Sequence, residues 1–308
     1  MNLDFAKDLQ FADFRAENGK AVLLLNNPPL NILNRAMCLE LTDFLTSFPI
    51  DNFDGLVIAT EGDHFSAGAD IDEHFPDLVW EMLPVFNRLC RTVAELPLPT
   101  VAVVSGRCLG GGAELARACR KVIALNPETL YFGVPEITLA CFPPFGLAVF
   151  PRLSQNICAT IHFLLTGQVL KGENPDELLL LHQMGLVDDS LTGPLEDMIT
   201  RLDFRSVEEL PDIPGLFSER LEIDASTVAL ALEGAASQIA SLSPFVLAQA
   251  TAVLLECARN TEGLRVSLEF AETVYLEEIA PDPDYLEGLT AYKEKRPPAF
   301  LGARMHAT

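Results

Sequence analysis

The chain has 308 residues, 49% of them apolar, enough for a substantial buried core in one large domain or a domain with an appendage. A formal net charge of −23 excludes a general nucleic-acid or anionic-membrane binder, because both need a basic face. The opening residues M-N-L-D-F-A-K-D-L-Q lack a basic segment followed by an apolar one, and no apolar run approaches a bilayer span. The seven cysteines contain no C-x-x-C and fit free thiols in a reducing cytoplasm, which is the expected location.

In chain order, residues 21–25 (A-V-L-L-L) read as a strand ended by N-N-P-P. Residues 35–48 carry apolar side chains at helical spacing. Gly55–Thr60 is a second strand, and 80–96 a helix with Met82, Leu83, Phe86, Leu89, Cys90 and Val93 on one face. Thr100–Val104, Lys121–Leu125 and 129–134 read as further strands. Residues 154–166 are expected to form a helix capped by Ser154 and stopped by Gly167. Asn174-Pro175-Asp176-Glu177 has the cap, the first-turn proline and the acids of a helix start, and Gly185 marks its end. Residues 188–224 show no clear pattern, and from about 225 onward the chain reads as long helices. The expected organisation is an α/β core over 1–195 and a helical part over 196–308.

Two small-residue turns stand out. Asp63 to Asp72 (D-H-F-S-A-G-A-D-I-D) follows a strand and precedes a helix; Gly110 to Gly112 end another strand and open a helix carrying Glu114. Each alone reads equally well as tight packing, and the glycines are no dinucleotide fingerprint. Together the turns can offer two free N–H groups to one oxygen, each worth about 3 kcal/mol to a developing oxyanion. Glu114 and Glu136 can move protons beside it. No His, Cys and acid group has metal spacing, so no metal is expected.

The motifs F-S-A-G-A-D, then L-G-G-G-A-E-L, F-G-V-P-E, L-T-G and the tail E-G-L-T-A-Y-K-E-K-R-P-P-A-F resemble the enoyl-CoA hydratase (crotonase) superfamily, over about residues 23–300. The resemblance implies a spiral of repeated ββα units with a helical C-terminal part. It implies an oxyanion hole from the N–H groups of Ala69 and Gly111, with Glu114 activating water and Glu136 supplying a proton. It implies an acyl-CoA substrate lying against Asn31, Ile32 and Leu33, then Ala67, Ala69, Asp70, Ile71 and Gly111, with Tyr292 and Lys295 near the nucleotide. His64 beside the oxyanion turn is a candidate contact to the phosphates, and His74 a candidate at a pocket mouth. No cofactor is implied beyond the substrate's coenzyme A, and the assembly implied is a homotrimer or hexamer.

The chain departs from the family after Glu136, where C-F-P-P-F-G replaces a glycine-rich segment. Phe142, Pro144 and Phe145 are expected to wall the acyl pocket there, and the F-P-P form is similar to cyclohexa-1,5-diene-1-carbonyl-CoA hydratases. Cys119-Arg120 is a further departure, Arg117 and Arg120 on the helix after Glu114 are expected to pair with acids at a packing surface, and Arg107 before the glycines is unusual and without an assigned role. The expected reaction is hydration of a 2-enoyl-CoA, cyclic dienoyl-CoA included. The alternatives are double-bond isomerisation with Glu136 as sole base, and a non-catalytic CoA- or RNA-binding relative.

Overall fold

A computed structural model describes residues 9–301. Most of the N-terminal segment discussed above lies outside them. The chain builds two sheets. The larger has the order β1 (Ala12–Glu17), β2 (Lys20–Leu25), β3 (Gly55–Thr60), β4 (Thr100–Val104), β6 (Lys121–Leu125), β9 (Asp189–Leu191). The smaller has the order β5 (Arg107–Leu109), β7 (Tyr131–Gly133), β8 (Val169–Lys171). β1 and β2 form an antiparallel hairpin, and β2, β3, β4, β6 and β9 run parallel. The hairpin turns on Asn18 and Gly19 at φ 48° and 79°, the left-handed pair that an Asn-Gly turn favours.

The spiral follows from how consecutive strands divide. β4 joins the large sheet and β5 the small one, and helix α3 (Gly111–Arg117) follows. β6 and β7 repeat the division, leading to helix α4 (Pro144–Leu153). Parallel bridges from Leu33 to Ala69 and from Ser66 to Cys108 extend the small-sheet layer through the earlier turns. Each ββα turn thus stacks its second segment on that of the turn before.

The large sheet is buried on both faces, which is why its strands read as unbroken apolar runs. Leu23, Leu25, Ile58, Ala102, Val104 and Val122 face the main core, with helices α1 (Arg35–Thr46) and α2 (Val79–Ala94). Val22, Leu24, Val57, Val101, Val103 and Ile123 face a second, smaller cluster. Met198, Ile199, Phe204 and Val207 close that face. The unreadable segment is therefore a lid of short helices, Leu195–Arg201 and Phe204–Glu208, over the back of the sheet.

One helical expectation is corrected. Residues 144–153 form a helix, and the next one, α5 (Ile157–Thr166), starts at Asn156 instead of Ser154. The Asn156 side chain accepts from Ala159 N, while Ser154 Oγ accepts from Asn156 N at 2.9 Å and from Thr160 Oγ1 at 2.7 Å. Gly167 stops α5 in the left-handed region. Beyond β9 the described residues form helices only, and the long ones, Pro244–Arg259, Leu264–Val274 and Pro283–Glu294, bury Val253, Leu268 and Tyr285 in the main core.

Candidate active site

The site begins with the geometry of two turns. Leu33 N donates to Gly68 O at 2.9 Å and Asp70 N to Leu33 O at 3.2 Å, so the bridge uses the groups on either side of Ala69. The Ala69 amide points the other way and has no acceptor among the described residues. Gly111 is the first residue of α3, where an amide has no intrahelical partner, and it too lacks an acceptor. A Cβ built on Gly111 would lie 3.4 Å from Ala69 N, so the two unpaired donors are neighbours. The helix dipole adds partial positive charge at the same spot.

Ser66 and Asn31 hold this arrangement. Ser66 Oγ donates to Asn31 O at 2.7 Å and accepts from Gly68 N at 3.1 Å. Asn31, at φ 48°, donates from Nδ2 to Thr60 Oγ1, His64 O and Phe65 O. A buried amide therefore ties the first turn to the second. Gly68 and Gly110 occupy positive φ of 108° and 54°, which side-chain-bearing residues resist.

Two carboxylates sit beyond the glycines. Glu114, in the first turn of α3, is 2% exposed, and its Oε1 accepts from Gly146 N at 2.8 Å. Burial pushes its carboxyl up to about 7, against the opposing pull of the Gly146 and Phe145 amides. Glu136 lies in the short helical turn Pro135–Leu139 after β7. A Cβ on Gly110 would come 2.7 Å from Glu136 Oε1, so that carboxylate rests against bare backbone. Its Oε2 is buried with no hydrogen-bond partner among the described residues. Burial first, and the charge of Glu114 second, raise Glu136 well above the usual carboxylate range. The two acids share one electrostatic site and resist being charged together.

A cleft of about 520 Å³ opens onto Glu136 and the turns bearing Ala69 and Gly111, while the buried Glu114 is not among its lining residues. Ile32, Ala67, Ala69, Asp70, Ile71, Gly111, Glu136 and Tyr292 line it, joined by Leu109, Leu139 and Cys141. His74 lines it as well; its Nδ1 lies 2.7 Å from Asp70 O, and burial lowers its pKa. Asn31 and Leu33 are buried behind the wall. Phe142, Pro144 and Phe145 are buried and absent from the lining: Pro144 opens α4, and the flanking rings enter the core, Phe142 edge-on to Tyr275 at 5.3 Å. Lys295 is exposed outside the cleft, while Lys293 pairs with Asp72 at 2.5 Å and Arg296 with Glu287 and Glu294 at 2.6 Å. His64 lines a separate hollow, and its Nδ1 accepts from Arg107 N at 3.2 Å. Arg107 stands between the two, lining both.

Sequence reasoning missed Cys141 and Gly146. Cys141 donates from Sγ to Glu136 O at 3.3 Å, and Tyr275 and Tyr285 stand behind it. The glycine at 146 was visible, and its distance in sequence from Glu114 hid the contact.

A family model described as enoyl-CoA hydratase/isomerase matches residues 15–191. The cyclohexa-1,5-dienecarbonyl-CoA hydratase of Thauera aromatica is 28% identical over 278 residues, 89% of this chain and 90% of that one. A probable enoyl-CoA hydratase of Bacillus subtilis is 28% identical over 289 residues, 92% and 95% of the two chains. The crystal structure of a carnitinyl-CoA dehydratase from Mycobacterium thermoresistibile shares the fold, with a TM-score of 0.75 at 19% identity over 97% of this chain and 94% of that one.

Proposed function

The chain belongs to the enoyl-CoA hydratase/isomerase family and is an enzyme of the hydro-lyase type; from that premise we propose that it adds water across the conjugated double bond of a 2-enoyl-CoA thioester, a cyclic dienoyl-CoA among the candidates. The thioester oxygen rests between the amides of Ala69 and Gly111. These donors stabilise the enolate that forms as water attacks, at about 3 kcal/mol each. Glu114, held by the Gly146 amide, takes a proton from the water. Glu136, kept protonated by burial and by its neighbour, gives one to the α-carbon. Both protons move through carboxylates, so the reaction calls on no group beyond the coenzyme A of the substrate.

The observation that carries this reading is the pair of coupled acids beside two unpaired amides. Isomerisation needs one base, whereas hydration uses a base and an acid at once, as this pair provides. The cyclic substrate has the support of the Thauera aromatica relative, which matches over nearly the whole of both chains. Phe86, whose ring atoms would lie 2.9–3.0 Å from a Cβ on Gly111, limits room beside the donors and favours a short or flat acyl group.

A trimer-based assembly is part of the same proposal. Its support is the exposure of the large apolar side chains Leu286 and Leu301 in the C-terminal part. Among the described residues no helix is long and apolar enough to cross a membrane. A panel of linear enoyl-CoA and cyclic dienoyl-CoA thioesters, read by mass spectrometry, tests the reaction. Gain of one water on at least one member supports hydration; turnover with unchanged mass across the panel would replace it with isomerisation.

A further inference from the structure

A hollow of about 630 Å³, separate from the cleft, is lined by Arg117, Arg120, Arg152, His182, Gln155 and Asp188 together with apolar neighbours. Three guanidinium groups meet there in a chain with 21 basic and 44 acidic residues. One of them, Arg120, is among the departures from the family pattern noted in the sequence. Leu210, Pro211 and Leu216, from the segment that resisted reading, form part of the wall.

The charges there are incompletely balanced. Arg117, 1% exposed, donates from Nη1 to Asp188 Oδ2 at 2.8 Å, and the same oxygen also accepts from Val122 N at 2.7 Å. That ion pair balances the charge of Arg117, so the unbalanced cations are Arg120 and Arg152. Among the described residues Arg120 has only Asp212 as an acidic partner, at a loose 3.9 Å, and that acid is half-exposed. Arg152, 8% exposed, donates to five backbone carbonyls, those of Leu216, Glu219, Cys257, Ala258 and Asn260, and lies 4.1 Å over the Phe217 ring. The carbonyls at the end of helix Pro244–Arg259 offset about half a charge. No carboxylate pairs with Arg152 among the described residues. The Nε atoms of Arg117 and Arg152 are both buried without an acceptor among the described residues. Buried cations without a full counter-charge are costly, and an anion in the hollow would relieve that cost.

We propose that this hollow is a second binding site, for a phosphate group that is free or carried by a small metabolite. Arg120, the most accessible of the three, makes the direct contact in place of Asp212. Arg152 supplies a fixed positive field, and His182 and Gln155 offer side-chain hydrogen bonds at the rim. The hollow and the cleft share no lining residue: Arg152 lies at the far end of α4 from Gly146, roughly 10 Å along the axis at 1.5 Å per residue, and Arg117 one turn beyond Glu114 on α3.

The test is a thermal-unfolding titration of the intact protein with inorganic phosphate, and in a parallel arm with glycerol 3-phosphate, at constant ionic strength set with potassium chloride. A saturable rise in Tm with either ligand is expected, with tighter binding of the ester identifying a carried phosphate. In Arg120→Gln the apparent Kd should weaken by at least ~10-fold, while unliganded Tm and hydration activity stay near wild type. Should Arg120→Gln fail to fold, His182→Gln should weaken binding in the same direction. Absence of a saturable rise with both ligands overturns the proposal. So does an equal rise in the variants, which would place the phosphate elsewhere.

Discussion

The Gly146 amide donates to Glu114 Oε1 at 2.8 Å, so the helix that replaces the family's glycine-rich segment is what anchors the carboxylate proposed to activate water. The contact joins the N-terminus of α4 to the first turn of α3. One oxygen of Glu114 is thereby fixed, and α4 contributes the positive end of its dipole to that oxygen.

Replacing either acid tests the pair. Glu114→Gln and Glu136→Gln should each lower turnover by at least ~100-fold, the range of general acid–base catalysis. Circular dichroism should match wild type, and Tm should stay close to it at pH 5, where the buried acids are protonated and the amides are isosteric with them. Near-normal hydration by either variant would remove that residue from the mechanism.

The pH dependence follows from the raised acids. Glu114 is pushed up to about 7 in the folded protein, above its value in the unfolded chain. The folded state therefore holds a proton that the unfolded state has released. Stability from this group is fully present below the unfolded pKa and is lost as pH rises through about 7. The difference in Tm between Glu114→Gln and wild type should accordingly shift in favour of the variant from pH 5 to pH 8. A difference independent of pH would show that Glu114 titrates normally. Since the base must be ionised, turnover should rise through the same region and fall where the pair loses its shared proton.

Gly111→Ala probes the donor pair. The added Cβ would lie 2.9 Å from Phe86 Cζ and 3.4 Å from Ala69 N, so Phe86 or the turn must move. Losing one donor's alignment costs ~100- to 1000-fold in turnover. Steady-state kinetics should show the loss mainly in kcat, and Phe86→Leu in the same chain should recover part of it.

Arg152→Leu should destabilise the fold by at least ~3 kcal/mol in urea titration, since five carbonyls lose their donor. A loss below about 1 kcal/mol would show that water replaces the guanidinium without penalty.

How far the sequence reached depends on the range of the interactions involved. Gly55–Thr60, Thr100–Val104 and Lys121–Leu125 are legible to the residue, because strands buried on both faces are continuous apolar runs between polar turns. β1 was missed because its residues alternate, although Asn18-Gly19 marked the hairpin. The segment 188–224 stayed opaque because its helices are a few residues long, and Phe204 and Val207 are apolar only toward the back of the sheet. At the site, the turns bearing Ala69 and Gly111 were legible as motifs. The burial of Phe145, the Gly146–Glu114 contact and the stack behind Cys141 were not, since each joins residues brought together only by the spiral.

The most direct measurement of the central claim is turnover in heavy-oxygen water with the best thioester from the panel. The account predicts one heavy oxygen on the β-carbon of the product with the wild-type chain, and at least ~100-fold slower incorporation with Glu114→Gln. A rearranged product without heavy oxygen, or undiminished incorporation by Glu114→Gln, would contradict it.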